Sequence, residues 1–361
     1  MDTSVNNIAP VKQRDYWFDN AKAILIFTVV LGHLAEILLS VVPYTTEPQW
    51  LRVLYNTIYV FHMPVFMIIS GRFAKRKVES NDFVSVINGI FVPYLICQTC
   101  MLLFNSTVNY ESTSNFSYLR PYYGLWYLLA IGIYQVVTPH VLKITRFKWL
   151  LLPLSLVIAI LFSFQEKAFY GNFQRFFNYF PFFIFGYLTS GYKLEFCKKI
   201  IFRILSFAVF VLVVYAVMQN PDMFQVRLLS GKRVYNQVIE FLDITELNFF
   251  IFLLLRYALG FLFFFIILGL SPAKKTLFSH IGTNSTYVYI LHLFIAVALT
   301  AYAKEYDSLD FCKNELYTLM VCLSSVPLCF LLVSPPVKKL TGWMIVPKFD
   351  LKKVIERITN K

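Results

Sequence analysis

The sequence predicts an all-α membrane protein, a polytopic bundle of about ten transmembrane helices with both termini in the cytoplasm. Three observations predict it. Hydrophobic residues make up 58% of the 361-residue chain and charged residues only 15%, with a mean hydropathy of +0.62. A soluble protein carries roughly a quarter of its residues charged, so these charges are too few to cover a water-exposed surface. The 38 Phe and 23 Tyr exclude disordered, collagen-like and disulfide-rich secreted chains. Second, apolar runs long enough for a bilayer-crossing helix of about 20 residues recur along the chain. Third, Lys and Arg fall in short clusters between those runs. The net charge of +13 is therefore not the one-faced basic patch of a nucleic-acid-binding protein.

The ten spans are expected near 20–42, 53–71, 83–105, 122–139, 148–164, 176–192, 199–218, 247–270, 284–303 and 315–335. The span at 122–139 is the least apolar, and those at 148–164 and 176–192 are short. An N-terminal segment 1–19 precedes them, and a basic tail 336–361 follows the membrane domain 20–335. With the N-terminus inside, 23 of the 33 Lys and Arg fall on the cytoplasmic side. Nine fall outside and Arg256 is left within a span. This is the asymmetry of the positive-inside rule for an even number of spans. The hydrophilic stretches 106–121 and 219–246 are too short to bury a core of their own. No internal repeat, low-complexity tract or cleavable signal peptide is read. The Cys97-x-x-Cys100 pair has no His or second pair nearby, so small buried hydrophobes are expected rather than a metal or redox site.

Ionisable side chains within spans cost a few kcal/mol each and mark either function or a pairing need. In the first span, with His33 set at zero and about 100° per residue, Asp19 falls near +40°, Lys22 near −20° and Glu36 near −60°. These four residues form one polar stripe on an apolar helix, and that stripe faces protein or water. It reads equally as a polar seam between helices or as an active site. Lys22 lies about 16 Å from His33 along the axis, which sets His33 near mid-bilayer.

In the second span, His62 is followed by Met63-Pro64, where the proline removes a helix hydrogen bond. Ser70-Gly71 then allows close backbone approach. Arg72, Lys75, Arg76 and Lys77 follow as a positive-inside anchor that can also hold the phosphates of a nucleotide-bearing cosubstrate. Arg256 needs a counter-charge or a wet cavity, with Glu36 the intramembrane candidate. His292 in the ninth span reads on its own as a satisfied core histidine. In the outer loops, Arg120 and Trp126 suit sugar recognition, and equally an interfacial aromatic belt.

Together these features resemble the acyltransferase-3 family of integral membrane acyltransferases. The likeness is greatest to its fucose 4-O-acetylase-like and polysaccharide O-acetyltransferase branch. It rests on Lys22 and His33 separated by ten residues, Phe61-His62-Met63-Pro64 with Ser70-Gly71, Leu125-Trp126-Tyr127-Leu128, Pro181 to Gly186, and Ser285 to His292. The resemblance implies transfer of an acyl group, usually acetyl, from acyl-CoA to a hydroxyl of a cell-surface or lipid-linked glycan. His33 matches the family's key histidine and Lys22 its basic companion. Acetyl-CoA is then a donor substrate, with no resident cofactor or metal expected.

One departure stands out. Where many members carry Arg-x-x-Arg before the third-helix Pro-Tyr, this chain reads Val86-Ile87-Asn88-Gly89. A CoA grip would then fall to Arg72, Lys75, Arg76 or Lys77. No esterase-like domain is read after the membrane domain, and the acyl group is expected either to be transferred there or to be passed to a separate protein.

Acyl transfer to an alcohol needs a base and an oxyanion stabiliser. His33 is the expected base or transient acyl carrier, with Glu36 fixing its tautomer. Arg256 or His62 supplies positive potential, and Asp19 and His292 join Arg120 and Trp126 as candidate substrate contacts. The competing class is a glycan transporter or flippase without covalent chemistry. The expected location is the plasma membrane.

Overall fold

The computed structural model describes residues 15–41, 47–108, 116–144, 146–165, 173–231, 235–242, 244–305 and 314–348. Among them no strand occurs, and a helix stands at each of the ten predicted positions. We label these α1 (Tyr16–Val41), α2 (Gln49–Ser80), α3 (Phe83–Val108), α4 (Trp126–Val141), α5 (Leu151–Ser163), α6 (Gln174–Thr189), α7 (Ile200–Gln219), α8 (Glu246–Leu270), α9 (Ser285–Glu305) and α10 (Glu315–Leu332). An eleventh, α11, covers Pro335–Ile345.

Seven of them, α1, α2, α3, α7, α8, α9 and α10, are long and apolar enough to cross a membrane. The other three are those that the sequence marks as short or weakly apolar. Helices α4 and α6 have 16 residues and α5 has 13. At 1.5 Å per residue they reach about 24 and 20 Å, against a hydrocarbon core of about 30 Å. Helix α7 exposes an apolar surface that includes Ile200, Ile204, Leu205, Phe207 and Leu212, with the exposed polar side chains Arg203 and Gln219 near its two ends, as a lipid-solvated helix requires.

Helix α2 is the axis of the bundle: 72% of its apolar stretch is buried, against 17% for peripheral α7. Lipid gives no hydrophobic drive for helix association, so close backbone packing has to supply it. Helices α2 and α6 do this reciprocally. A methyl at Gly71 would sit 2.0 Å from the Phe183 carbonyl oxygen, and one at Gly186 would sit 1.9 Å from that of Ile68. Each helix thus lies directly on the other's backbone.

A polar knot ties the start of α1 to the chain after α8. Asn20 donates to the carbonyls of Pro272 and Lys274 at 2.7 and 2.8 Å. Its Oδ1 accepts from the hydroxyls of Ser279 and Thr276. Trp17 Nε1 donates to the Leu268 carbonyl at 2.9 Å. Every polar atom of the buried Asn20 amide is thereby satisfied.

Within α3, residues Ile87–Phe91 form a π turn, and Val92 N–H reaches back to the Ile87 carbonyl. Pro93 explains its position. A proline has no N–H for the carbonyl four residues earlier and its ring clashes there, and the wider turn relieves both faults. Beyond it, Tyr94 donates to the Tyr118 carbonyl at 2.6 Å. Gln98 donates to the carbonyls of Ser117 and Arg120 and accepts from Tyr122 N–H. These bonds hold the chain that leads into α4.

The region expected as a basic tail begins with α11, started by Pro335 and Pro336 in its first turn. Its Met344 and Ile345 are buried, and Lys338 Nζ lies 3.4 Å from Asn284 Oδ1. Cys97, Cys197, Cys322 and Cys329 are buried free thiols and Cys100 is half-buried, in line with the small-hydrophobe reading.

Candidate active site

The polar stripe of α1 closes into two ion pairs along its own helix. Lys22 Nζ lies 2.8 Å from Asp19 Oδ1, and His33 Nδ1 lies 3.2 Å from Glu36 Oε2. Both are i,i+3 pairs, the spacing that brings side chains together on one helix face. Tyr59 of α2 adds its hydroxyl to Glu36 at 3.5 Å.

Two further imidazoles join His33. His62 Nδ1 lies 2.7 Å from the Ile58 carbonyl, and His292 Nδ1 lies 2.8 Å from the Val288 carbonyl. A carbonyl only accepts, so Nδ1 carries the hydrogen in each ring and Nε2 keeps the lone pair when the ring is neutral. The Glu36 carboxylate selects the same tautomer at His33. The rings of His33 and His292 have centroids 5.2 Å apart, and His62 packs edge-on to Tyr59 at 4.6 Å. His292 Nε2 is buried without a hydrogen-bond partner. Among the described residues no three His, Cys, Asp or Glu side chains converge as a metal site.

These histidines line one cavity of about 460 Å³. One end is bounded by Lys22, Phe73 and Gly89, and the other by Glu36, Tyr59, Arg175, Tyr179 and Ser230. The directions of the helices explain this arrangement. Helix α1 runs from the Lys22 end toward Glu36, and α2 returns, so that Phe73 lies under the Lys22 ammonium. Helix α6 starts at the Glu36 end with Arg175 in its first turn. Helix α9 starts at the Lys22 end and brings His292 to the middle.

Arg175 was not among the residues the sequence singled out. The predicted span begins at 176, which leaves Arg175 among the loop cations, whereas the helix begins at Gln174. Its guanidinium lies 4.4 Å from the centre of the Trp126 ring, and Nε donates to the Ser230 carbonyl at 3.1 Å. The side-chain amide of Asn178 and the hydroxyl of Tyr179 bond the next carbonyls, those of Gly231 and Leu229. Gly231 takes φ +67°, the left-handed conformation that glycine adopts freely. The segment at 229–231 is in this way strapped across the start of α6.

Arg256 is buried but does not line the cavity. Its guanidinium lies over Tyr179 at 5.3 Å and Tyr257 at 5.6 Å, and Nη2 has no hydrogen-bond partner. Glu36 faces His33 instead, and no ion pair reaches Arg256 or Arg175 among the described residues. Because Trp126 and Tyr179 pack at 5.1 Å, the four side chains form a ladder in the order Arg175, Trp126, Tyr179, Arg256. Insertion scales put a guanidinium at membrane depth at a cost of about 2.5–3.5 kcal/mol, while a cation–π contact contributes about 0.5–2 kcal/mol. The ladder offsets only part of the cost.

The other predicted residues are placed as follows. Arg72 donates to the carbonyls of Thr189 and Tyr192 at the end of α6 and lies over Phe18. Lys75 is 3.9 Å from Glu79, and Arg76 is exposed. Lys77 does not line the cavity, but its Nζ lies 3.6 Å from where a Cβ would stand on the lining residue Gly89. Arg120 is exposed and Asp19 is buried beside Lys22, and neither lines the cavity. Trp126 and His292 do.

A bundle of apolar helices enclosing a histidine-lined cavity defines the class as a multi-pass membrane protein. The chain belongs to the acyltransferase-3 family, whose model, described as an acyltransferase domain, matches residues 15–334. It is similar to nodulation protein NolL of Sinorhizobium fredii strain NGR234, 31% identical over 163 residues, which cover 42% of this chain and 44% of the relative. It is also similar to nodulation protein NolL of Mesorhizobium japonicum, 40% identical over 75 residues, 21% of this chain and 19% of the relative. The chain thus spans less than half the length of the curated relatives it matches. No solved structure matches.

Proposed function

We propose that this protein is a membrane O-acyltransferase that moves an acyl group, acetyl in the first instance, from acyl-CoA to a hydroxyl of a cell-surface or lipid-linked glycan. The observation that supports it best is His33, held in one tautomer by Glu36, in the middle of a cavity with a cationic residue at each end. Such a pair is suited to acyl transfer to an alcohol.

His33 Nε2 takes the proton of the acceptor hydroxyl as its oxygen attacks the thioester carbonyl. The C–S bond breaks, and the CoA thiolate takes the proton back from the imidazolium. Glu36 stabilises that imidazolium while it exists. A route through an acyl-imidazole uses the same nitrogen: Nε2 attacks the thioester, CoA leaves as the thiolate, and the hydroxyl then takes the acyl group from the acyl-imidazolium, its proton passing to the thiolate.

With the N-terminus inside, the Lys22 end opens toward cytoplasmic acyl-CoA. Lys22 and Lys77 are then the cations nearest the donor, since Arg72 is already engaged by two carbonyls. The acceptor enters at the Arg175 end, where Trp126 and Tyr179 offer stacking faces, and the enzyme sits in the plasma membrane. Arg120 and Asp19 lie outside this path. Arg256 contributes positive potential through Tyr179 rather than contact.

Mass spectrometry of surface and lipid-linked glycans tests this in wild-type, deletion and His33→Ala cells. Loss of one acyl increment from the same glycan in both mutants is expected, with membrane expression of His33→Ala intact. Normal acylation in the His33→Ala strain overturns the scheme. Unchanged acylation with altered glycan export favours the transporter instead.

A further inference from the structure

The two arginines of the ladder share a deficit. Arg175 is 8% exposed and Arg256 4%, and neither has a carboxylate partner among the described residues. Lys22 is paired with Asp19, and Glu36, the one carboxylate lining the cavity among the described residues, is engaged by His33 and Tyr59 and reaches Arg175 only across space. The outer end of the cavity therefore sets two buried cations on one aromatic stack against a single carboxylate that is already shared, and one of the cations borders the open space. Arg175 uses only Nε on the protein, through the Ser230 carbonyl, and its two Nη groups have no protein partner among the described residues. A planar guanidinium with that edge unused is shaped for two parallel hydrogen bonds to a carboxylate or phosphate. Trp126 holds the plane from one face, so the fork is set before a ligand arrives.

A transient oxyanion does not answer this deficit, because the charge has to be balanced in the resting protein and with substrate bound. We propose that Arg175 is an anion-binding residue that takes a carboxylate or phosphate at the end of the cavity opposite Lys22, with Arg256 reinforcing it through Tyr179. Combined with the function proposed above, on which this step rests, that end belongs to the acceptor. The acceptor is then an acidic sugar or a sugar phosphate, not a neutral one. Its anion docks on Arg175 and positions a hydroxyl toward His33.

The test uses purified full-length protein in detergent, without donor, and follows thermal unfolding during titration with glucuronate, glucose 1-phosphate or glucose. Either acidic sugar should raise the melting temperature saturably, and neutral glucose should not. Arg175→Gln should weaken the acidic-sugar affinity by roughly ten- to a hundred-fold, as expected for losing hydrogen bonds to a charged group. Arg175→Lys should recover part of it, and CoA should stabilise wild type and both variants alike. Equal shifts by glucose and by the acidic sugars overturn the proposal, as does an unaltered response in Arg175→Gln. Loss of the CoA response in Arg175→Gln, with acidic sugars inert, assigns the site to the donor's phosphates and overturns the acceptor assignment. If neither variant assembles, the wild-type comparison of charged with neutral sugar still decides. No acyl transfer is read, so a failure here is distinct from a failure of the His33 scheme.

Discussion

The imidazoles of His33 and His292 lie ring to ring, centroids 5.2 Å apart, one carried by α1 and the other by α9. His292 is held by its own helix through Nδ1, and its Nε2 is buried with no partner. An unsatisfied buried acceptor costs about 1–3 kcal/mol. No contact among the described residues answers it, and on the function proposed above a hydroxyl of the substrate would.

His292→Leu should consequently leave stability unchanged or raise it slightly, since an apolar replacement removes an unsatisfied group. Acyl transfer should nevertheless fall, by roughly ten-fold or more if one hydrogen bond to substrate is lost. Thermal unfolding and transfer rate measured on the same preparation check this. A strongly destabilised variant with normal transfer per folded molecule would return His292 to a packing role.

Glu36→Gln keeps the size of the side chain but removes the carboxylate that selects the His33 tautomer. We expect kcat to fall by roughly a hundred-fold or more, with KM for acyl-CoA little changed, as for other histidine–carboxylate pairs. Steady-state kinetics in membranes would show it. A variant that loses donor affinity at unchanged kcat would place Glu36 in binding instead.

Gly71→Ala and Gly186→Ala should each abolish assembly or cost about 3 kcal/mol or more, because the new methyl meets backbone and not a movable side chain. Gly89→Ala is the control: its Cβ meets only the Lys77 ammonium, at 3.6 Å. Fluorescence-detected gel filtration and melting curves separate the three. A well-folded Gly186→Ala protein would mean that α2 and α6 can slide apart.

Asn20→Ala removes both donors and the acceptor at the knot between α1 and the chain after α8. It takes these donors from the carbonyls of Pro272 and Lys274 and leaves the hydroxyls of Ser279 and Thr276 with only each other and the Thr276 N–H. A loss of about 2–4 kcal/mol is expected where several buried groups lose partners together. A melting temperature within error of wild type would mean that water replaces the amide.

Much of this was legible because it is local or compositional. Apolarity located the ten helices, and a 100° repeat placed Asp19, Lys22, His33 and Glu36 on one stripe that the structure closes into ion pairs. Pairing across helices was less legible. Nothing near Arg72 says that its guanidinium spans to the Thr189 and Tyr192 carbonyls, and Glu36 had two available partners, His33 and Arg256, until the packing chose the first. Arg175 was missed through a boundary error of two residues, because its burial depends on Trp126 and Ser230, both distant in sequence. The π turn at Ile87–Phe91 breaks the 100° repeat itself, so a periodicity reading cannot see it.

That turn makes the length of α3 a matter of phase. Its five residues turn through about the arc that four cover at ordinary pitch, so the turn takes up one extra residue. Removing one residue between 87 and 91 would let the helix revert to that pitch while Tyr94 and Gln98 keep their hold on the Ser117–Tyr122 backbone. One residue removed between Tyr94 and Gln98, where no slack is stored, would instead turn Gln98 away from that backbone by about 100°. The turn is a reserve of length, and related chains that differ by one residue inside it will differ in letters while pointing the same way in space.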